Sequence, residues 1–80
     1  MKQKMKIKII SVGYLKRYLD NKEEKTVEVP SDISVYQAFE YLEIPSGEVM
    51  MVTVNGKHAH KEEILQNNDE IKIIPLMGGG

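Results

Sequence analysis

Apolar residues recur along this chain with two periods, near two and near three and a half, and their order predicts five strands and one main helix. Ile7, Ile9, Ile10 and Val12 stand among lysines, and this β-branched run predicts a first strand over residues 6–12, of mixed exposure. After Gly13, Leu15, Tyr18 and Leu19 fall at i, i+3 and i+4, the spacing of one or two helical turns docked on a core. Asp20-Asn21-Lys22-Glu23-Glu24 is polar and turn-forming. Residues 25–29 then alternate polar with β-branched, so Val27 and Val29 share one face of a second strand that Pro30 terminates. The first two strands form a hairpin with a long connection.

The helix signal is Ser34-Val35-Tyr36-Gln37. Ser34 can accept from the backbone three residues on while Gln37 reaches back, so a helix starts at Val35. Val35, Ala38, Phe39 and Leu42 form its apolar stripe, and Gln37, Glu40 and Glu43 face water. Phe39, the single phenylalanine, is the expected core anchor. Pro45 and Gly47 are expected to end the helix, one lacking an amide donor and the other permissive in backbone. Residues 49–54 are apolar almost throughout and predict a third strand. Asn55-Gly56 supplies the positive-φ pair of a tight hairpin, and residues 57–60 a short return strand. Ile64 and Leu65 mark a turn or short helix packed beneath the domain. Asn67-Asn68-Asp69 is a further turn, and residues 70–74 are the last strand, with Ile71 and Ile73 inward. The isoleucine-rich first and last strands are expected to be central, parallel neighbours while the hairpins are antiparallel, an order that periodicity by itself does not place. The fold class is α+β: a mixed sheet of about five strands with one main helix across it, the β-grasp or ubiquitin-like arrangement.

Composition narrows the chemistry. Eighty residues make one domain with a modest core and no room for a separate catalytic domain. The absence of cysteine excludes a disulfide framework, a thiol nucleophile and a zinc-thiolate site. Eleven basic and twelve acidic residues nearly cancel, so no global field points to nucleic acid, although lysines crowd the first quarter. The N-terminal run is too short and too charged for a signal-peptide core or a membrane span. A cytoplasmic protein with no membrane partner is the expectation. His58 and His60, at i and i+2, fall on one side of a strand, but without a third ligand they are expected to be exposed strand residues and not metal ligands. Lys57, Lys61 and Lys72 are expected to be solvated surface charges.

The most informative feature is Gly78-Gly79-Gly80 directly beyond the last strand. Glycines without side chains can thread a narrow channel and offer a carboxylate to another protein's active site. The expected division is a folded domain over residues 1–75 and a flexible tail over 76–80, which at full extension reaches roughly 17 Å. Leu76 and Met77 are candidates for a partner-docking patch, with packing at the strand end as the alternative.

Val52-Thr53-Val54-Asn55-Gly56, Ile64-Leu65, Asn68-Asp69-Glu70-Ile71-Lys72-Ile73-Ile74-Pro75 and the terminal glycines together resemble the ThiS/MoaD-like sulfur-carrier family, and the helix preceded by Ser34-Val35 is similar to the family's. That resemblance implies a ubiquitin-like protein that is not itself an enzyme. Its C-terminal glycine, Gly80 by position, would be adenylated by an E1-like enzyme and converted to a thiocarboxylate, with Gly79 and Gly78 as the neck. The implied partners are that activating enzyme, which consumes ATP, a persulfide-bearing sulfur donor, and a sulfur-accepting synthase of molybdopterin or thiamine type. No permanently bound cofactor is implied. Asn68 stands where the family usually has glycine, and Asn tolerates the left-handed conformation such a turn needs. The third glycine, where a pair is typical, leaves Gly79 beside Gly80 as the functional end. The long segment between strands one and two resembles the MoaD type. Two other readings stand beside the carrier: a ubiquitin-like modifier joined through Gly80 to lysine amines, and a non-covalent β-grasp binding module.

Overall fold

The computed structural model describes residues 3–76. Alternation builds β1 over Lys4–Ser11, where Met5, Ile7, Ile9 and Ser11 turn inward and the lysines outward. β2 over Glu24–Pro30 pairs antiparallel with it, from Lys4 opposite Pro30 to Ile10 opposite Glu24. Pro30 is thus the last paired residue of β2. Between them the predicted helical turns form a 3₁₀ segment, Gly13–Leu19, that buries Leu15 and Leu19. Asp20 closes it in the left-handed conformation, with its carboxylate bonded to the Lys25 ammonium, which holds the Asp20 carboxyl below its usual pKa.

The helix α1, Val35–Tyr41, carries the predicted capping box. The Gln37 amide donates to Ser34 Oγ at 3.1 Å, and the Ser34 amide donates to Gln37 Oε1 at 2.9 Å. Its end differs from the sequence reading. Glu43, at φ 60°, reverses the chain before Pro45 is reached. The Ile44 amide donates back to Phe39 O at 2.8 Å and the Glu43 amide to Glu40 O at 3.2 Å, a Schellman closure in which buried Ile44 joins Phe39 in the core. Gly47 belongs instead to a second 3₁₀ turn, Ser46–Glu48.

β3 (Val49–Val54) and β4 (Lys57–Ala59) form the second hairpin. Asn55 and Gly56 take φ values of 54° and 84° at its turn, as the Asn-Gly pair requires. No helix forms at Ile64 and Leu65. Ile64 makes an isolated bridge with Ser34 and is 53% exposed, while Leu65 alone is buried. β5, Glu70–Pro75, pairs parallel with β1 and antiparallel with β3, so the sheet runs β2-β1-β5-β3-β4. This is the β-grasp topology. Val35, Ala38 and Phe39 share one core with Ile7, Ile9, Val29, Val52, Ile71 and Ile73.

Two clamps lock the loops that precede β5. Asn67 Oδ1 accepts from the Lys6 amide at 2.8 Å, and the Asn68 amide, at a residue with φ 69°, donates to Lys6 O at 2.7 Å. Buried Asp69 takes Asn55 Nδ2 on one carboxylate oxygen at 2.9 Å and the Gln66 amide on the other at 2.7 Å. Asn55 in turn accepts the Glu70 amide at 2.9 Å and donates its own to Glu70 O at 2.7 Å. Among the described residues no buried polar side-chain atom lacks a partner, so the cost of burying that carboxylate is met by hydrogen bonds.

Phe39 is 1% exposed, and Phe39→Ala is expected to destabilise the domain by about 3–5 kcal/mol, the cost of emptying an aromatic core site. Denaturant titration measures it, and a neutral outcome would show the helix face to be misassigned. Glu43→Gly should do the reverse and stabilise by about 0.5–1 kcal/mol, because glycine adopts the left-handed conformation without a Cβ clash. The same titration reads this out as a higher midpoint at unchanged slope.

Candidate functional site

The last described stretch of chain leaves the sheet from its middle. β5 directs Ile71, Ile73 and Pro75 into the core, so Lys72, Ile74 and Leu76 face the opposite side by alternation. The backbone ladder continues one step past the strand, where the Leu76 amide donates to Glu48 O at 3.0 Å. On the other flank the Val12 amide donates to Ile73 O at 3.1 Å. Gly13 takes φ +64°, a backbone conformation that favours glycine, and packs beside Pro75, whose Cγ would lie in ordinary contact with a Cβ there at 3.5 Å.

Leu76 is 52% exposed at this exit. Met77, Gly78, Gly79 and Gly80, the remaining candidates, lie outside the described residues. His58 and His60 are exposed on one side of the β4 edge, their rings edge to face with centroids 5.9 Å apart. Among the described residues no group of three or more His, Cys, Asp or Glu side chains is placed to hold a metal. Lys57 and Lys72 are exposed as expected. Lys61 is not a free surface charge. It is half-buried, and its Nζ donates to Ser46 O at 3.1 Å and Val49 O at 3.3 Å.

The register brings together residues that the sequence reading does not single out. Ile10 opposes Lys72, Lys72 opposes Thr53, and Ile74 opposes Met51. Half-buried Ile10, Met51 and Ile74 therefore share with Leu76 the face away from α1. Lys72 and His58, which opposes Thr53, lie on the same face, and nearby Lys8 bridges Glu24 at 3.1 Å and Glu70 at 3.8 Å. The signal was available in the doublets Ile9-Ile10 and Ile73-Ile74: in a strand only one member of each can point inward. An apolar strip rimmed by charge at the chain exit is a surface suited to a protein partner.

Tyr18 adds a polar anchor. Its ring packs against the core while its hydroxyl donates to Glu48 Oε2 at 2.8 Å. That bond to a carboxylate, with some loss of water and the negative charge itself, raises the phenol's pKa above the ordinary tyrosine value against the opposing pull of Arg17. The phenol thus stays a donor to the carboxylate at neutral pH.

Comparison with known proteins agrees with this architecture. Crystals of Haloferax volcanii small archaeal modifier protein 1 hold a chain that superposes with a TM-score of 0.72 at 20% identity, covering 89% of this chain and 97% of that one. A Pyrococcus furiosus protein designated molybdopterin converting factor, subunit 1, superposes with a TM-score of 0.70 at 19% identity, over 89% of this chain and 97% of its own. The solution structure of small archaeal modifier protein 1 from Methanosarcina acetivorans gives 0.70 at 17% identity, over 98% and 99%. These likenesses show the shared fold. No curated protein matches the sequence closely enough to count as a relative. The ThiS family model matches residues 12–80, from the end of β1 through the last glycine, and the chain belongs to the ThiS family.

Proposed function

We propose that this protein is a sulfur carrier and not an enzyme: a co-substrate whose Gly80 carboxylate is activated as an acyl adenylate and converted to a thiocarboxylate. The observation that carries the reading is the family match running through the glycine tail, on a domain whose last described residue leaves the middle of the sheet beside a half-buried apolar strip. A carboxylate is a poor acyl donor because its charge repels nucleophiles. Attack of a carboxylate oxygen on the α-phosphorus of ATP, within an E1-like partner, releases pyrophosphate and leaves AMP as leaving group. Sulfur from a persulfide-bearing enzyme displaces AMP, and a thiol that cleaves the resulting S–S bond leaves the thiocarboxylate for a synthase of molybdopterin or thiamine type. The carrier itself contributes reach and access. Residues 76–80 are the arm, Gly78 and Gly79 crowd neither nucleophile nor leaving group, and Leu76, exposed beside the apolar strip, is with Met77 the candidate for docking on the partner. These steps take place in the cytoplasm, where ATP is available, and no cofactor stays bound to the carrier.

A second reading has its own support. Two of the structural neighbours are small archaeal modifier proteins, so conjugation of Gly80 to lysine amines is the alternative fate of the same adenylate.

Intact mass spectrometry of the protein from its native host distinguishes the two. Exchange of one oxygen for sulfur, a gain of about 16 Da, is the expected result, whereas isopeptide adducts on other proteins would favour the modifier. With ATP and the matching E1-like enzyme the protein should support ATP–pyrophosphate exchange, and failure with every such enzyme of the host would remove both readings.

Deleting Gly79 and Gly80 should leave the melting temperature nearly unchanged, since glycines beyond the last strand bury little apolar area, yet abolish that exchange. A loss of several degrees would make the tail structural.

A further inference from the structure

The 3₁₀ turn Ser46–Glu48 is pinned more heavily than a surface turn needs. Lys61, from the loop after β4, places its ammonium on Ser46 O and Val49 O. Tyr18, from the connection between β1 and β2, reaches Glu48 Oε2 across thirty positions of sequence. The turn closes on itself through the Glu48 amide to Pro45 O at 3.0 Å. What it offers in return is one acceptor, Glu48 O, and the group that takes it is the Leu76 amide. The pinning falls where the sheet most needs it. β3 and β5 lose regular pairing at Met50, where the register shifts between Val49 and Met51, and beyond that bulge the ladder holds only the Val49–Pro75 pair and the bond from Leu76 to Glu48. A bulge turns the strand and leaves the following pairs weakly specified unless something else fixes them.

We infer that the Tyr18–Glu48 hydrogen bond is an exit latch: by holding the Ser46–Glu48 turn it fixes the acceptor of the Leu76 amide, and so sets the direction in which the chain leaves the domain. Tyr18 and Glu48 are positioning residues. They act on the proposed activation of Gly80 by holding Leu76, the first residue beyond β5, in a fixed direction before the activating enzyme binds. The inference rests on that functional reading only for its catalytic consequence, since the latch itself is a property of the isolated domain. A charge-assisted hydrogen bond at 2.8 Å is strong enough to hold such a turn, and the half-buried Tyr18 ring, anchored in the core, supplies a rigid support.

The test compares wild type with Tyr18→Phe, which keeps the packed ring and removes the donor, and with Glu48→Gln, which keeps an acceptor oxygen. Hydrogen exchange by NMR reads the Leu76 amide against core amides such as those of Ile9 and Ile71. Tyr18→Phe should speed exchange at Leu76 by about tenfold, the order expected for losing one such bond, with the core amides unchanged, and Glu48→Gln should stay closer to wild type. In ATP–pyrophosphate exchange, Tyr18→Phe should raise KM for the carrier several-fold with kcat within about twofold, because the cost of fixing the chain at Leu76 then falls on binding. An unchanged Leu76 amide, or exchange that rises equally at Leu76 and in the core, overturns the latch. Silence of the wild type in ATP–pyrophosphate exchange overturns the functional reading instead, and the Leu76 amide still decides the latch.

Discussion

Two isoleucine-rich strands from opposite ends of the sequence meet side by side, and every other element hangs from that pairing. β1 and β5 run parallel from Lys8 opposite Glu70 to Ser11 opposite Ile73, bringing Ile7, Ile9, Ile71 and Ile73 under Phe39. In the sheet, among the described residues, β2 joins through β1, and the β3–β4 hairpin joins through β5. A hairpin alone is marginal in water, so each half of this domain becomes stable by sharing the central pair. The polar clamps serve the same junction. Asn67 and Asn68 hold the chain to Lys6, the Asp69 carbonyl takes the Lys8 amide at 2.9 Å, and Asn55 with Asp69 fixes the second hairpin to the start of β5.

That arrangement changes the meaning of the residues that carry the family resemblance. Asn55, Asn68 and Asp69 sit in turns where polar residues are ordinarily solvated, yet they are hydrogen-bonded parts of the junction, and Asp69 is buried. Together they build the platform from which the last strand departs. The surface that remains for a partner is the apolar strip of Ile10, Met51 and Ile74, together with Leu76. On the proposed function, fold and recognition divide the two faces of one sheet between them.

The sequence made most of the fold legible because its signals are local. Alternation placed each strand within two residues of its observed ends, as β1 shows in running from Lys4 to Ser11 rather than from 6 to 12. The Ser34–Gln37 box placed the start of α1 at the observed residue. Its stop was misread because Pro45 and Gly47 are conspicuous breakers, whereas the actual reversal uses a non-glycine residue, Glu43, whose strain is offset by burying Ile44 beside Phe39. The features around the exit were not legible for a different reason. Tyr18 with Glu48, Lys61 with Ser46, and Ile74 with Met51 are partners far apart in sequence, and no periodicity within either segment announces the other. Of the site candidates, Leu76 is placed and exposed, and the glycines stay proposals that rest on the sequence.

The fifth strand in sequence order is the one that sits in the centre of the sheet. Pairing residues 8–11 with 70–73 closes a loop of nearly the whole chain, the kind of contact that is costly to form early and slows folding. Without β5, β1 and β3 would present unsatisfied backbone edges to each other across an empty slot. Insertion of that strand completes the core, and the same event sets Leu76 at the mouth of the sheet. A nascent or partly unfolded molecule therefore lacks the native exit altogether, so that an activating enzyme able to recognise the strip and the exit together would be reading the completeness of the fold as well as its identity.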